Sequence, residues 1–328
     1  MSTVYFLKDF SKVKEATEKI LDNFYPKNSE IAIKLHFGEP GNKAAFKPED
    51  IKPIADFLKT LSLSLSLTDT PVMYLSPRNT VKGYEMIAKR KGFNKLGRIV
   101  ISNEGVKVRT KDFTALVSKT LVEANNVLVI SHVKGHPGSG FGGAVKNLGM
   151  GGVTKETKKI EHTLCKPKLI KDCQGCGTCI KVCTEHAIKM IHGRAKFDSD
   201  KCIGCAACIS NCPYKCLVPE KVSFDDLLAQ GAAAVINHLP KKTFYINFIW
   251  RVVKNCDCFP WSGKKISSDI GILFSKNPVA IDQASLDLVN KINGRNLFKE
   301  VSGIDPFVHI NFAEKYTKWK KDYQLVEI

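Results

Sequence analysis

The sequence predicts an α/β protein with a mainly parallel sheet, interrupted by one inserted cysteine-rich α+β module. Two observations predict it. Short β-branched runs alternate with helix-like stretches in the first 150 residues and again after Pro219, and eight of the twelve cysteines crowd into the forty positions from Cys173 to Cys212. The expected divisions are residues 1–165 and 220–328 as two parts of one α/β body, with 166–219 inserted between them.

In chain order, Val4 to Leu7, Ile31 to Leu35, Leu65 to Thr68, Ile99 to Ile101 and Val127 to Val133 read as strands: short, branched-rich and bounded by turn residues. Between them, Ser11 to Phe24, Pro48 to Leu61, Thr80 to Lys91 and Phe113 to Ala124 carry apolar residues at helical spacing, with Ser11, Thr80 and Asp112 as N-caps. The run LSLSLSL, Leu61 to Leu67, fits a helix end, a half-buried strand, or both joined. Gly151 to Lys171 reads as a lysine-rich loop. Beyond the cysteines, Ser223 to Val235, Pro278 to Ile292 and His309 to Lys320 read as helices, and Phe244 to Val253 and Ile270 to Ser275 as strands.

Composition excludes several classes. With 328 residues, 44% of them hydrophobic and 25% charged, the chain is an ordinary globular one. No stretch approaches the roughly 18 uninterrupted apolar residues of a membrane span, and the start has no signal-peptide pattern, so a cytoplasmic protein is expected. In a reducing cytosol, twelve cysteines point to metal or redox chemistry and away from disulfides.

Cys173, Cys176, Cys179 and Cys183 follow C-x2-C-x2-C-x3-C, and Cys202, Cys205, Cys208 and Cys212 repeat it with Pro213 next. The doubled spacing is that of bacterial ferredoxins and predicts two [4Fe-4S] clusters. Three cysteines on one loop reach three irons of a cluster, and the fourth crosses to the other. Cluster one is therefore assigned Cys173, Cys176, Cys179 and Cys212, and cluster two Cys202, Cys205, Cys208 and Cys183. Thr184 stands where a proline is usual. Gly175, Gly177 and Gly204 let backbone amides turn toward the clusters. Cys165 and Cys216 fall outside the spacing and read as small apolar residues.

A second feature is SHVKGHPGSGFGGAVKNLGMGG, Ser131 to Gly152, whose glycines suit close approach to a ligand or another chain. It matches neither the P-loop nor the dinucleotide spacing. His132, His136 and Lys146 are its candidate chemical residues, with Gly140, Gly142 and Gly143 as candidate backbone contacts to a ligand. His36, Asp69 and Arg78 sit at or after strand ends, where α/β folds place ligand crevices. Cys256 and Cys258, in NCDCFPW, are candidate ligand or redox thiols. In an extended segment both would face one side and Asp257 the other, with low-pKa thiolates as the expected form. A third site, binding a metal or a small molecule, is expected where these groups meet.

Together with the doubled cysteine box, IAIKLHFGEPGN, LTDTPVMYLSPRNTVKGY, SHVKGHPGSGFGGAVKNLGMG and NCDCFPW with DIGILFSKNPVAID resemble the domain-of-unknown-function family 362, in its ferredoxin-containing form. The resemblance covers nearly the whole chain and implies an iron–sulfur protein. More weakly, Gly140 to Lys146 with His132 and His136 is similar in layout to the loop of nickel-pincer lactate racemases, where a lysine holds the cofactor beside histidines. Gly142 stands where that family has serine, and its following proline is missing. The likeness implies a ligand-facing role for Lys146, His132 and His136.

The formal charge of +18 includes crowded lysines at Lys155, Lys158, Lys159, Lys166, Lys168 and Lys171 and at Lys315, Lys318, Lys320 and Lys321. Two clusters held by thiolates remove several of those units. After plain solvated charge, an acidic electron-transfer partner is the next expectation. Nucleic acid comes last, because no nucleic-acid-binding motif accompanies the charge. The leading reading is an electron-transfer protein or ferredoxin-coupled oxidoreductase. The alternatives are a maturation or binding protein with structural or transferable clusters, and cluster-supported nucleic-acid binding.

Overall fold

Strands that are apolar on both sides belong inside a sheet covered on both faces, and the computed structural model, which describes residues 1–328, places them there. Eight strands form the central sheet: β1 (Ser2–Leu7), β2 (Glu30–Leu35), β3 (Ser64–Asp69), β4 (Arg98–Ile101), β5 (Asn126–His132), β6 (Lys242–Ile249), β7 (Gly271–Ser275) and β8 (Tyr323–Glu327). Their order is β8-β1-β7-β6-β5-β2-β3-β4. Only β7 runs antiparallel to its neighbours β1 and β6; every other adjacent pair is parallel. The fold is thus mixed α/β around a mostly parallel sheet.

Alternation along the strands divides the core. Val127 and Val129 of β5 face a cluster built with the helices Ala144–Gly151 (α4), Phe224–Ile236 (α6), Pro278–Asn293 (α7) and Val308–Tyr316 (α8). Leu128 and Ile130 face the opposite cluster, built with Val13–Leu21 (α1), Pro48–Thr60 (α2) and Val81–Arg90 (α3). Each face therefore holds its own apolar layer. Caps fix the helix starts: Thr80 accepts from the Gly83 N–H, Ser223 from Asp226, and Asn277 from Val279 and Ala280 ahead of Pro278.

Several local expectations are corrected. Phe113 to Ala124 is not one helix: Thr114–Ser118 is a strand paired with Gly105–Arg109, and only Lys119–Val122 is helical. Its apolar spacing suits both periods over so short a run, and the paired strand decides. Asp112 accordingly caps no helix and receives the Gln230 amide at 2.6 Å. Asp9, not Ser11, caps the first helical turn. The lysine-rich stretch after Gly151 contains a helix, Lys155–Leu164 (α5), capped by Thr154, and its Lys158 is buried. LSLSLSL is both alternatives at once: Leu61 caps α2, Ser62 breaks the chain at a φ of 56°, and Ser64 begins β3.

The glycine-rich segment folds as a hairpin, Lys134–His136 against Gly140–Gly142, followed by α4. Between α5 and α6, Pro167–Leu169 pairs antiparallel with Leu217–Pro219. Those two strands bracket a hairpin, Ile188–Ile191 with Arg194–Phe197, and a small separate core that includes Cys179, Cys208 and Cys216.

Candidate functional site

The cysteines sort into two recesses, and the sorting is crossed. Cys173, Cys176, Cys179 and Cys212 line one of about 320 Å³ of empty volume, together with Cys216. Cys202, Cys205, Cys208 and Cys183 line the other, of about 350 Å³. Each short helix that follows a cysteine loop, Thr178–Lys181 and Ala207–Ser210, starts on a left-handed residue, Gly177 at φ 71° and Ala206 at φ 60°. Those turns wrap the loop around its recess. No three His, Cys, Asp or Glu side chains are grouped as ligands of a single metal ion. Thiols spread around a recess suit a multi-iron cluster better than one zinc ion, so the residues present fit the group that their spacing implies.

Cys165 and Cys216 pack in apolar clusters, as expected, and each also makes one polar contact. The Cys165 thiol donates to the Gly204 carbonyl at 2.7 Å, and Cys216 Sγ lies 3.4 Å from Cys212 Sγ. Gly204 has a φ of 68°, and a Cβ there would fall on the His162 carbonyl of α5. The second cysteine loop is thereby pressed against the α/β layers.

A second assembly lies where the parallel strands end. The chain runs from β2 to β3 and β4 on one side, while β5 and β6 lie on the other, so the carboxyl ends of β2 and β5 flank the reversal of strand order. His36, Asp69, His132 and the segment after β6 all emerge at that edge. Lys34 and Arg78 are fully buried. The Lys34 ammonium lies 3.1 Å from Asp69 and donates to Asn147 at 2.6 Å, and the Tyr84 hydroxyl donates to Asp69 at 2.6 Å. Arg78 donates through Nε to Glu39 Oε2 at 2.8 Å, and Ser76 donates to the other Glu39 oxygen at 2.6 Å. Each of these charges has a counterion, as burial requires.

Cys256 and Cys258 occupy a turn and not an extended segment: the Phe259 N–H donates to the Cys256 carbonyl at 3.2 Å. Surrounding groups fix the turn. Glu39 N–H donates to the Asp257 carbonyl at 2.8 Å, Asn42 to the Phe259 carbonyl at 2.9 Å, and the Tyr74 hydroxyl to the Cys258 carbonyl at 3.0 Å. The Asp257 carboxylate pairs with Lys134, and His132 Nδ1 lies 3.2 Å from it. His132 Nε2 donates to the Trp250 carbonyl at 2.8 Å, which leaves Nδ1 to accept from Lys134 at 2.5 Å. Burial and the Lys134 ammonium hold His132 below the usual histidine range, so the ring is neutral. Burial would raise the Asp257 carboxyl, but the Lys134 ammonium holds it well below the carboxylate range.

The two thiols differ, contrary to the expectation of paired thiolates. A hydrogen bond from Cys256, the Lys146 ammonium and His36 together hold Cys258 well below the usual thiol range. Full burial, together with that bond to Cys258, pushes Cys256 well above it. Burial would lower Lys146, but Cys258, Cys256 and Asp257 raise it. His36 Nδ1 accepts from the Gly38 N–H at 3.0 Å, and burial keeps the ring neutral.

His136 lies on the glycine-rich hairpin, buried, where burial and Lys146 hold it well below the usual histidine range and Cys258 opposes them. Its Nδ1 accepts from Gly138 and Ser139 N–H groups, each at 3.1 Å, and its ring stacks at 6.3 Å on Phe224. Gly140 packs under the Ile304 carbonyl and Pro306, and Gly143 against the Asp282 carboxylate. Protein packing therefore explains both glycines, and Gly142 alone borders Lys146. Asp282 receives the Ala144 and Val145 N–H groups at 2.7 and 2.8 Å, fixing the start of α4 and hence Lys146. Sequence reasoning missed Lys34 and Lys134. Lys34 stands inside the mostly apolar run IAIKLHF, while Lys134 lies in the polar stretch ISHVKGH, which gives no such signal.

No helix is long and apolar enough to cross a membrane. Over 71 residues the chain is 37% identical to the pyruvate synthase subunit PorD of Methanothermobacter marburgensis, covering 21% of this chain and 84% of that subunit. Over 72 residues it is 35% identical to a component of the ion-translocating oxidoreductase complex of Methanosarcina acetivorans, covering 19% of this chain and 27% of that protein. It thus spans about a quarter of the latter's length. Two crystal structures are similar at low identity. A Thermotoga maritima protein has a TM-score of 0.48 and 10% identity, over 90% of this chain and 59% of that one. The lactate racemase apoprotein of Thermoanaerobacterium thermosaccharolyticum has a TM-score of 0.39 and 12% identity, over 76% and 51%. The profile of a domain of unknown function, DUF362, matches residues 31–287, most of the chain. This protein belongs to the DUF362 family.

Proposed function

We propose that this is an iron–sulfur electron-transfer protein or oxidoreductase, with residues 166–219 as a ferredoxin-like insert that serves a buried thiolate site in the α/β body. The observation that carries the reading is the crossed sorting of eight cysteines into two recesses, each drawing three from one run and one from the other. Cys173, Cys176, Cys179 and Cys212 would hold one cluster and Cys202, Cys205, Cys208 and Cys183 the second; when bound, each supplies a one-electron couple. Local identity to components of pyruvate synthase and of an ion-translocating oxidoreductase complex supports the same class.

The body supplies the chemistry beside it. Lys146, held by the start of α4, balances the Cys258 thiolate, while His36 borders that sulfur and the Asp257–Lys134–His132 group fixes the turn. Five cations (Lys34, Arg78, Lys91, Lys134 and Lys146) face four anions (Glu39, Asp69, Asp257 and Cys258), with Lys158 lowered by burial to about 7 beside them, which favours a small anionic substrate. Gly142 and the Lys146 side chain are where that substrate would approach.

Anaerobic iron and sulfide analysis with an electron paramagnetic resonance redox titration tests the reading. About eight irons per chain and two reversible one-electron signals are expected. Replacing Cys256 and Cys258 together by alanine should leave that iron content unchanged. Iron that leaves readily to chelators, with no reversible reduction, would favour the maturation reading.

A further inference from the structure

The two recesses are not equivalent to the outside. The Cys202 to Cys208 loop faces inward: Gly204 lies against the His162 carbonyl, Cys165 donates to Gly204, and the Cys205 carbonyl sits where a Cβ on Gly138 would come within 2.8 Å. The hairpin that carries Gly138 in turn packs through Gly135 on the Lys254 carbonyl, beside the Cys256 turn. That recess is backed by the body. Recess one is open. Cys176 is exposed, and a Cβ added to Gly177 would meet nothing within 4 Å.

Around the open recess the surface is unusual for a solvated one. Tyr214, 48% exposed, lines it, Ile180 follows Cys179 at 36%, and Ile170, at 58%, donates its N–H to the Cys216 carbonyl at 3.0 Å. Lys171, Lys181 and Lys215 are exposed beside these residues. The nearest acid, Asp172, is paired with Arg194 at 3.1 Å. By contrast Glu185 lines the other recess, and Asp198 and Asp200 precede its first cysteine. Apolar contacts ringed by unpaired lysines form the pattern of a steered, short-lived protein interface.

We infer that the surface around the Cys173/Cys176/Cys179/Cys212 recess, where Tyr214 lines the recess and the exposed Ile170, Lys171, Ile180, Lys181 and Lys215 flank its lining residues in the chain, is a docking surface for a small acidic electron-carrier protein. The inference rests on the iron–sulfur reading above and names which of the two recesses meets the partner. Charge complementarity selects that occupant: three lysines with no acidic side chain bonded to them attract an acidic face, and the bare tyrosine and isoleucines give it contact area.

The test is calorimetric titration of the intact iron-loaded protein with a small acidic [2Fe-2S] ferredoxin at low ionic strength, beside iron analysis of the same sample. Saturable one-to-one binding that weakens with salt is expected. The triple variant Lys171→Glu, Lys181→Glu, Lys215→Glu should weaken it at least about tenfold, and Tyr214→Ser should weaken it at unchanged salt dependence. The matched variant Lys315→Glu, Lys318→Glu, Lys320→Glu should leave it unchanged. No binding by the unaltered protein, equal loss in both triple variants, or a single-stranded RNA oligonucleotide that binds through the same three lysines would each overturn the inference. A preparation that takes up no iron overturns the reading beneath it instead, and the iron analysis separates the two failures.

Discussion

The backbone N–H of Cys258 donates to the sulfur of Cys256 at 3.3 Å, so the two thiols close one tight turn. Their surroundings are unequal: Cys256 is buried and Cys258 half-buried, beside the influence of Lys146 and His36. Lys146 and His36 hold the Cys258 thiol low, while burial pushes the Cys256 thiol up.

Selective alkylation follows from that asymmetry. Iodoacetamide should label Cys258 well before Cys256, read by mass spectrometry of the peptide that holds both. Because the Cys258 thiol is lowered, its labelling rate should stay flat as pH falls through neutrality, whereas an ordinary thiol with a pKa near 8.5 slows. Lys146→Met should restore part of that slowing. Equal labelling of the two sulfurs would contradict the asymmetry.

Asp282 joins α7 to the start of α4 through two backbone N–H groups, and Asn247 donates to it at 2.7 Å. Asp282→Ala strands these buried donors and should cost about 3 kcal/mol, measured as a lower denaturant midpoint. Asp282→Asn, which keeps one acceptor oxygen, should cost less. Both should also slow Cys258 labelling at neutral pH, since Lys146 loses its anchor.

Glu161 is fully buried with neither carboxylate oxygen hydrogen-bonded. Burial raises its carboxyl well above the ordinary value, with Lys158 opposing. Folded protein therefore keeps a proton that unfolded protein loses above about pH 4.5, and this group's contribution to stability falls as pH rises from there. Glu161→Gln should remove that decline, so its melting temperature should gain on the parent's between pH 5 and 8. A constant difference across that range would show that Glu161 is ionised.

Gly204 and Gly193 both have positive φ, 68° and 73°, yet differ in surroundings. A Cβ at Gly204 meets the His162 carbonyl; one at Gly193 meets nothing within 4 Å. Gly204→Ala should displace the second cysteine loop and lower bound iron from about eight toward about four per chain. Gly193→Ala should retain the full complement and cost only about 1 kcal/mol of backbone strain.

How much of this was legible varies with the range of the interaction. Strands β2, β5 and β6 were readable because both their faces are buried, which leaves an unbroken apolar run. Thr114–Ser118 and α5 were not. The first depends on pairing with Gly105–Arg109, and the second on Thr154 and on burying Lys158 against the Thr70 and Pro71 carbonyls. In the candidate site, His36, Asp69, Arg78, Lys146 and the cysteine pair are all legible in the sequence. Lys34 and Lys134 are not, because lone lysines usually lie on a solvated face.

By itself the sequence determined the local chemistry: the doubled cysteine spacing, the caps at Thr80 and Ser223, the helix opening on Pro278, and the α/β alternation. These follow from geometry within a few residues of the chain. Only the tertiary structure decided that the surroundings of Cys256 and Cys258 are unequal, that Gly140 and Gly143 pack against protein, and that the Cys202 to Cys208 loop lies against the body. A pKa, a close contact and an exposure each depend on atoms far away in the chain, and a spacing of residues carries no record of them.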